Sequence, residues 1–131
     1  MQVFTESFDV VLDDLDELDH VNNIRYVQWI QEISKKHWEK VVGRERGKKF
    51  IWVVRNHNIT YHRSAVLGDR IQLTTNVEQF RGAISDRVVE IKNAGTGELL
   101  VSARTQWCLL EAKRLRPIRI PEMIANLFNP D

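Results

Sequence analysis

The sequence is short of several things, and each shortage excludes a class of protein. It has one cysteine, Cys108, in 131 residues. No internal disulfide can form, so the fold must rest on its core, and a reducing compartment is expected. No apolar run approaches the ~18 residues of a membrane-spanning helix. There is no repeat, low-complexity stretch or linker. The charge is nearly balanced, with 19 basic and 18 acidic residues for a formal net charge of +1. That balance gives no general reason to expect nucleic acid or a membrane surface as a partner. The opening "MQVFTESFDVVLDD" has neither a basic n-region nor a small-residue cleavage site, so no signal peptide is expected and the cytoplasm is the expected location.

What is present is ordinary globular material. Apolar residues make up 43% of the chain, and a chain this long can bury a core without staples. One domain over residues 1–131 is expected. Residues 3–12 are rich in β-branched and aromatic side chains and read as a strand. Over 23–42, apolar residues recur at 26, 30, 33, 37/38 and 41, with 27 and 42 widening the stripe, which is helical spacing. Gly43 is the natural stop. Twenty residues give a helix of roughly 30 Å. Strands follow at 50–62, 70–80, 84–93 and 99–111, joined by "VLGD", "RGA" and "AGTGE" turns. Period two puts Ile71, Leu73, Thr75 and Val77 on one face, and Leu99, Val101, Ala103, Thr105, Trp107 and Leu109 on another. Residues 121–128 fit a short helix with Pro121 at its first position. Tight turns imply antiparallel neighbours, so the expectation is an α+β fold: one long helix on an antiparallel sheet of about five strands. Uncovered sheet edges make a dimer plausible.

The unusual feature is "DDLDELDHVNNIRY", residues 13–26, in which Asp13, Asp14, Asp16, Glu17 and Asp19 crowd together. Capping a helix needs one or two such residues, not five. A calcium loop read from Asp14 fails, because position six is Asp19 rather than Gly and position twelve is Arg25 rather than Glu. A surplus of solvated carboxylates is the plain reading. The functional one joins a carboxylate to the N–H donors of a helix start, a base or nucleophile beside an oxyanion site, which is what acyl transfer needs.

Other candidates read as structural. His57 and His62 fall on opposite faces of one strand and are not expected to be partners or metal ligands. Cys108 lies opposite the face carrying Trp107 and reads as packing. Ser64 lacks a G-x-S-x-G context. Lys113, Arg114, Arg116 and Arg119 form a basic end that could meet phosphates or be simply solvated.

The pattern D-x-D-x-x-D-H-V-N-N-x-x-Y, from Asp14 to Tyr26, resembles the signature of hot dog fold thioesterases of the 4-hydroxybenzoyl-CoA thioesterase type, which includes many bacterial acyl-CoA thioesterases. "YHRSAVLGD", 61–69, is similar to that family's A-x-x-G-D turn, and "LRPIRIPE", 115–122, to its RP-x-RIP tail. The resemblance spans nearly the whole chain and implies a hot dog fold, a long helix wrapped by the sheet. It implies hydrolysis of an acyl-CoA or an acyl carrier protein thioester, with no metal or redox cofactor. Asp16 falls on the family's catalytic carboxylate. Asn22 and Asn23 fall at the helix start, where a backbone N–H forms the oxyanion site, and His20 falls beside it. Tyr26 is the helical tyrosine, expected at the substrate. Arg63 is the expected partner-strand contribution to a site at a homodimer interface, with a tetramer left open.

The chain departs from related patterns at three points. Some relatives carry a histidine where Asn23 stands, so histidine catalysis there is not carried over. Plant acyl-carrier-protein thioesterases have an asparagine where Leu18 stands. Asp19 replaces the usual loop glycine, and aspartate tolerates the left-handed conformation better than most residues. A non-catalytic acyl-thioester binding module and a hydroxyacyl dehydratase remain as alternatives. The second usually needs a histidine, which 22 and 23 lack.

Overall fold

The computed structural model describes residues 1–130. In chain order the elements are strand β1 (Phe4–Asp9), a single 3₁₀ turn (Leu12–Asp14), helix α1 (Asn23–Val42), a short turn of helix α2 (Arg44–Gly47), strands β2 (Phe50–Tyr61), β3 (Arg70–Arg81), β4 (Ile84–Asn93) and β5 (Leu99–Glu111), a two-residue strand β6 (Arg116–Pro117) and helix α3 (Glu122–Phe128). The sheet runs β1-β3-β4-β5-β2 with every neighbour antiparallel, and β6 adds to β5. With α1 packed along its concave face, this is the hot dog arrangement.

Helix α1 follows its apolar stripe. Tyr26, Ile30, Ile33, His37 and Val42 are buried, together with Trp29 and Ser34. Asn22 caps the start, its side chain accepting from Ile24 N–H, and Gly43 ends the helix at φ 86°, a conformation that suits glycine. The first half of α1 packs Tyr26, Trp29, Ile30 and Ile33 against Ile71, Leu73, Val89, Ile91, Val101 and Ala103 of the sheet. Past its midpoint a second cluster forms from Val42, Val77, Leu109, Ile120, Ile124 and Phe128, with Trp38 and Trp52 against it. Helix α3 closes that end.

Three details differ from the sequence reading. Strand β1 stops at Asp9 rather than at residue 12, because Val10 N–H turns to Asp69 O and Asp14 Oδ2 accepts from Val11 N–H, closing a turn. Pro121 is the residue before α3, not its first helical one. Leu99 leaves the buried face: the register slips between Ile91 and Lys92, making a bulge at Leu100, and Leu100 becomes the buried residue. From Val101 to Leu109 the alternation holds, and Ile71, Leu73, Thr75 and Val77 are all buried.

Candidate active site

The acidic loop is a built object. Leu15 and Val21 form an antiparallel bridge, and Asp16 N–H donates to His20 O at 2.7 Å. The Asp16 carboxylate sits inside the turn this makes: its Oδ1 accepts from Leu18 N–H at 2.9 Å and from His20 N–H at 3.2 Å. Aspartate is suited to this turn because its short side chain reaches backbone donors two residues on. Asp19 takes φ 60°, the left-handed conformation expected of it. Asp16 is half-buried, with Oδ2 remaining beside the anchored Oδ1; His20 is exposed.

The loop is tied down from two sides. His20 bridges Val66, and Val21 N–H donates to Ala65 O, so residues 61–69 zip onto it. Asp69 Oδ2 accepts from Val66 N–H within that second turn. On the other side Arg25 gathers acids: its guanidinium meets Asp13 Oδ2 at 3.0 Å and Asp14 Oδ1 at 3.4 Å. The crowding of carboxylates thus has several answers. Asp13 and Asp14 are matched by Arg25, Asp14 also holds Val11, Asp16 holds its own turn, and Glu17 and Asp19 are solvated.

The start of α1 contains one decisive asymmetry. Asn22 N–H donates to Asp14 O at 2.8 Å, Ile24 N–H to Asn22 Oδ1 at 3.0 Å, and Arg25 N–H to Asn22 O at 2.8 Å. Asn23 N–H has no acceptor among the described residues. Of the two candidate oxyanion donors, the Asn22 amide is therefore occupied inside the chain and the Asn23 amide is open, at the positive end of a 20-residue helix.

Tyr26 and Arg63 both have partners within the chain. Tyr26 is 2% exposed, and its hydroxyl accepts from Ala65 N–H at 2.9 Å. Burial pushes its phenol pKa up; the Ala65 bond pulls it back; Tyr61, Asp16 and Asp69 add smaller rises. The Tyr26 hydroxyl thus ties the helix to loop 61–69. Arg63 is exposed and paired with Glu98 at 3.0 Å, away from the acidic loop's own bonds within this chain.

His57 Nδ1 meets Thr105 Oγ1 at 2.8 Å, and burial lowers its pKa. His62 Nε2 meets Ser102 Oγ at 3.0 Å on the exposed side. Among the described residues no three His, Cys, Asp or Glu side chains cluster to hold a metal, and no helix is long and apolar enough to cross a membrane.

A family model described as the acyl-ACP thioesterase N-terminal domain matches residues 1–128. The chain belongs to the acyl-ACP thioesterase family. Its curated relatives include a chloroplastic acyl-[acyl-carrier-protein] hydrolase of Cuphea viscosissima, 29% identical over 83 residues, which are 63% of this chain and 20% of that protein. The chain thus matches about a fifth of the length of those curated acyl-ACP thioesterase relatives. Among solved structures, a 1,4-dihydroxy-2-naphthoyl-CoA thioesterase from Synechocystis superposes with a TM-score of 0.82 at 19% identity, covering 98% of this chain and 96% of that one. A mutant of 4-hydroxybenzoyl CoA thioesterase in complex with 4-hydroxybenzoyl CoA gives 0.89 at 16% identity, covering 98% and 99%. At these identities the likeness shows the shared hot dog fold, across nearly the whole of both chains.

One polar group escaped the sequence reading. Arg87 is 5% exposed. Its Nη1 donates to His37 Nδ1 at 2.8 Å and to Thr75 Oγ1 at 3.0 Å. Burial lowers the Arg87 pKa to about 9, and burial with the Arg87 and Lys40 charges lowers that of His37 to about 4. The signal was available: stepping back by two from Ile91 and Val89 on β4 arrives at Arg87 and then Ser85, both on the buried face.

Proposed function

We propose that this member of the acyl-ACP thioesterase family hydrolyses an acyl thioester, with acyl-CoA as carrier substrate. The observation that carries the reading is the open Asn23 N–H at the head of α1, three residues past a loop that holds Asp16 by one carboxylate oxygen. The thioester carbonyl oxygen would accept from Asn23 N–H, where the helix dipole favours the negative charge of the tetrahedral intermediate. Asp16 Oδ2 would take a proton from the attacking water, or attack the carbonyl carbon itself to give a mixed anhydride that water then opens. In both routes the thiol leaves with a proton and the acid is released. Asn22 positions the helix start by capping it, and His20 closes the Asp16 turn through its backbone. No metal or redox cofactor has a part in this scheme.

An acyl carrier protein thioester is the second reading. The matched family model and the curated relatives, both described by that carrier, favour it. A non-catalytic acyl-thioester binding module is the alternative of another class. It would keep the groove without needing Asp16. A homodimer fits this scheme, since β2 is a 12-residue edge strand with Ile51 and Val53 exposed on it, the kind of edge a second subunit covers. Arg63 would then contribute across that interface.

The test is thiol release from short, medium, long and aromatic acyl-CoAs, comparing wild type with Asp16→Asn and including an enzyme-only blank because Cys108 reacts with thiol dyes. Turnover that falls by a factor of about a hundred or more in the variant is the expected result, the scale of general-base catalysis. Turnover unchanged by the substitution would remove Asp16 from the mechanism. Absence of turnover on every acyl-CoA, followed by turnover on acyl carrier protein thioesters, would select the second reading; binding without turnover on either would select the module.

A further inference from the structure

The two ends of α1 carry opposite charge, and each exposes apolar surface. At its head, Leu12, Leu15, Leu18, Val66 and Leu67 line an open dent with Asp19 on its wall. Leu12, Leu18 and Leu67 are each more than half exposed, and bare apolar surface gathered in one place marks a contact site. Arg25 reaches Asp13 and Asp14, but no cation pairs with Glu17 or Asp19 among the described residues. Beyond the far end of α1, the β5–β6 turn holds Lys113, Arg114, Leu115 and Arg116, all exposed. Leu115 is 59% exposed and stands at φ 57°, a left-handed conformation that is an outlier for a bulky residue and points to a role. The turn is firmly held: Leu115 N–H donates to Glu111 O at 2.8 Å, and Ala112 N–H to Lys49 O at 3.0 Å. Glu111 bonds the Arg114 backbone N–H, and no acid pairs with the side chains of Lys113, Arg114 or Arg116 among the described residues.

Within one chain these surfaces cannot meet, because the 20 residues of α1 hold them roughly 30 Å apart. Strand β2 spans the same two ends. Its first residue, Phe50, pairs with Glu111 at the basic end. Its last, Tyr61, leads into the segment bonded to the acidic loop through Ala65 and Val66. An edge strand that pairs antiparallel with its own copy sets the start of one beside the end of the other, and full overlap of β2 puts Phe50 opposite the partner's Tyr61. We propose that the Leu115 turn of each subunit docks in the dent of a second copy of this chain. Leu115 lies against the partner's Leu18 and the partner's Leu67, and Lys113, Arg114 and Arg116 face the partner's Glu17 and the partner's Asp19. An apolar knob meets an apolar dent, bases meet acids, and the two-fold makes the contact twice. The inference rests on the homodimer reading above and deepens it. Docked there, the turn shields the loop that holds Asp16 beside the open Asn23 N–H, so each site takes one wall from the other subunit.

Disulfide trapping tests the contact. Leu18→Cys and Leu115→Cys are combined in one chain that also carries Cys108→Ser, and the oxidised protein is run on a gel without reductant. A separation of roughly 30 Å within one chain exceeds any disulfide's reach. The expected product is therefore a covalent dimer, absent when either cysteine substitution is made alone. A chain that stays monomeric on the gel, or a ladder of higher species from head-to-tail contacts, would overturn the docking. Sedimentation equilibrium reads the charge half without any introduced cysteine. Lys113→Glu, Arg114→Glu and Arg116→Glu together should raise the dimer Kd at least tenfold, and adding Glu17→Lys and Asp19→Lys should recover most of that loss. Reversal without effect, or without recovery, would also sink the proposal. The two readings fail separately. A wild type that sediments as a dimer but whose cysteine pair does not trap keeps the homodimer and removes the docked turn, whereas a monomeric wild type removes both.

Discussion

Arg87 Nη1 donates to His37 Nδ1 across 2.8 Å of buried space. Arginine has no acceptor, so Nδ1 must be the unprotonated nitrogen and the proton lies on Nε2. That nitrogen is buried without a partner among the described residues. The ring is also stacked on Phe4 and edge-on to Phe128. Burial first, and then the Arg87 and Lys40 charges, favour the neutral imidazole, which is why its pKa falls to about 4.

Acid stability follows from that. The unfolded chain's histidine takes up a proton near pH 6.5, whereas the folded one waits until about pH 4. Between these values the unfolded state holds more protons, so stability rises with pH. The contribution is fully present above pH 6.5 and is lost as pH falls towards 4, by at most about 3.4 kcal/mol at 1.36 kcal/mol per unit. Urea unfolding at pH 7 and pH 4.5 checks it. His37→Gln keeps an acceptor for Arg87 and should flatten this part of the profile.

The Asp16 side chain has two separable roles, fold and chemistry. Asp16→Asn retains an Oδ1 that can accept from Leu18 and His20, so its melting temperature should stay within a few degrees of wild type while turnover collapses. Asp16→Ala should lose both turnover and about 1 kcal/mol of stability with the turn's bonds. Equal stability of the two variants would remove the structural half of this account.

Tyr26→Phe should cost about 1–3 kcal/mol in chemical denaturation, because it leaves the Ala65 N–H without its acceptor. A loss of that size without a matching change in KM would mark Tyr26 as a strut; a raised KM at unchanged stability would return it to the substrate.

Asp19 pays for a left-handed φ of 60° and for its acidic neighbours. Asp19→Gly should therefore be neutral or raise the melting temperature, while Asp19→Ala should lower it, with a stability loss of up to about 1 kcal/mol, since alanine has neither glycine's freedom nor aspartate's local bonding. Calorimetry of the pair decides.

Much of the fold is legible without coordinates. The bounds of α1 and its glycine stop, the four long strands, and the inward faces of β3 and β5 come from period and turn chemistry, which are local properties. The stop of β1 at Asp9 and the bulge at Leu100 are not local: each depends on a bond to a distant segment, Asp69 O in the first case and the slipped β4 register in the second. The candidate site divides in the same way. Asp16, Asn22, Asn23 and His20 stand together because they are neighbours in sequence.

By itself, then, the sequence determined the helix, the strands and the loop that carries the proposed chemistry, because hydrophobic period, glycine and aspartate act over a few residues. Tertiary structure alone decided which helix amide is open, since Asn22 N–H is taken by Asp14 O and Asn23 N–H finds no acceptor among the described residues. It alone set the Tyr26 hydroxyl against Ala65 N–H, paired Arg25 with the acids before it, and left Arg87 buried beside His37 and Thr75 with no carboxylate partner among the described residues. Those outcomes depend on which distant groups reach hydrogen-bonding distance once the sheet has curled around the helix, and no local pattern encodes that distance.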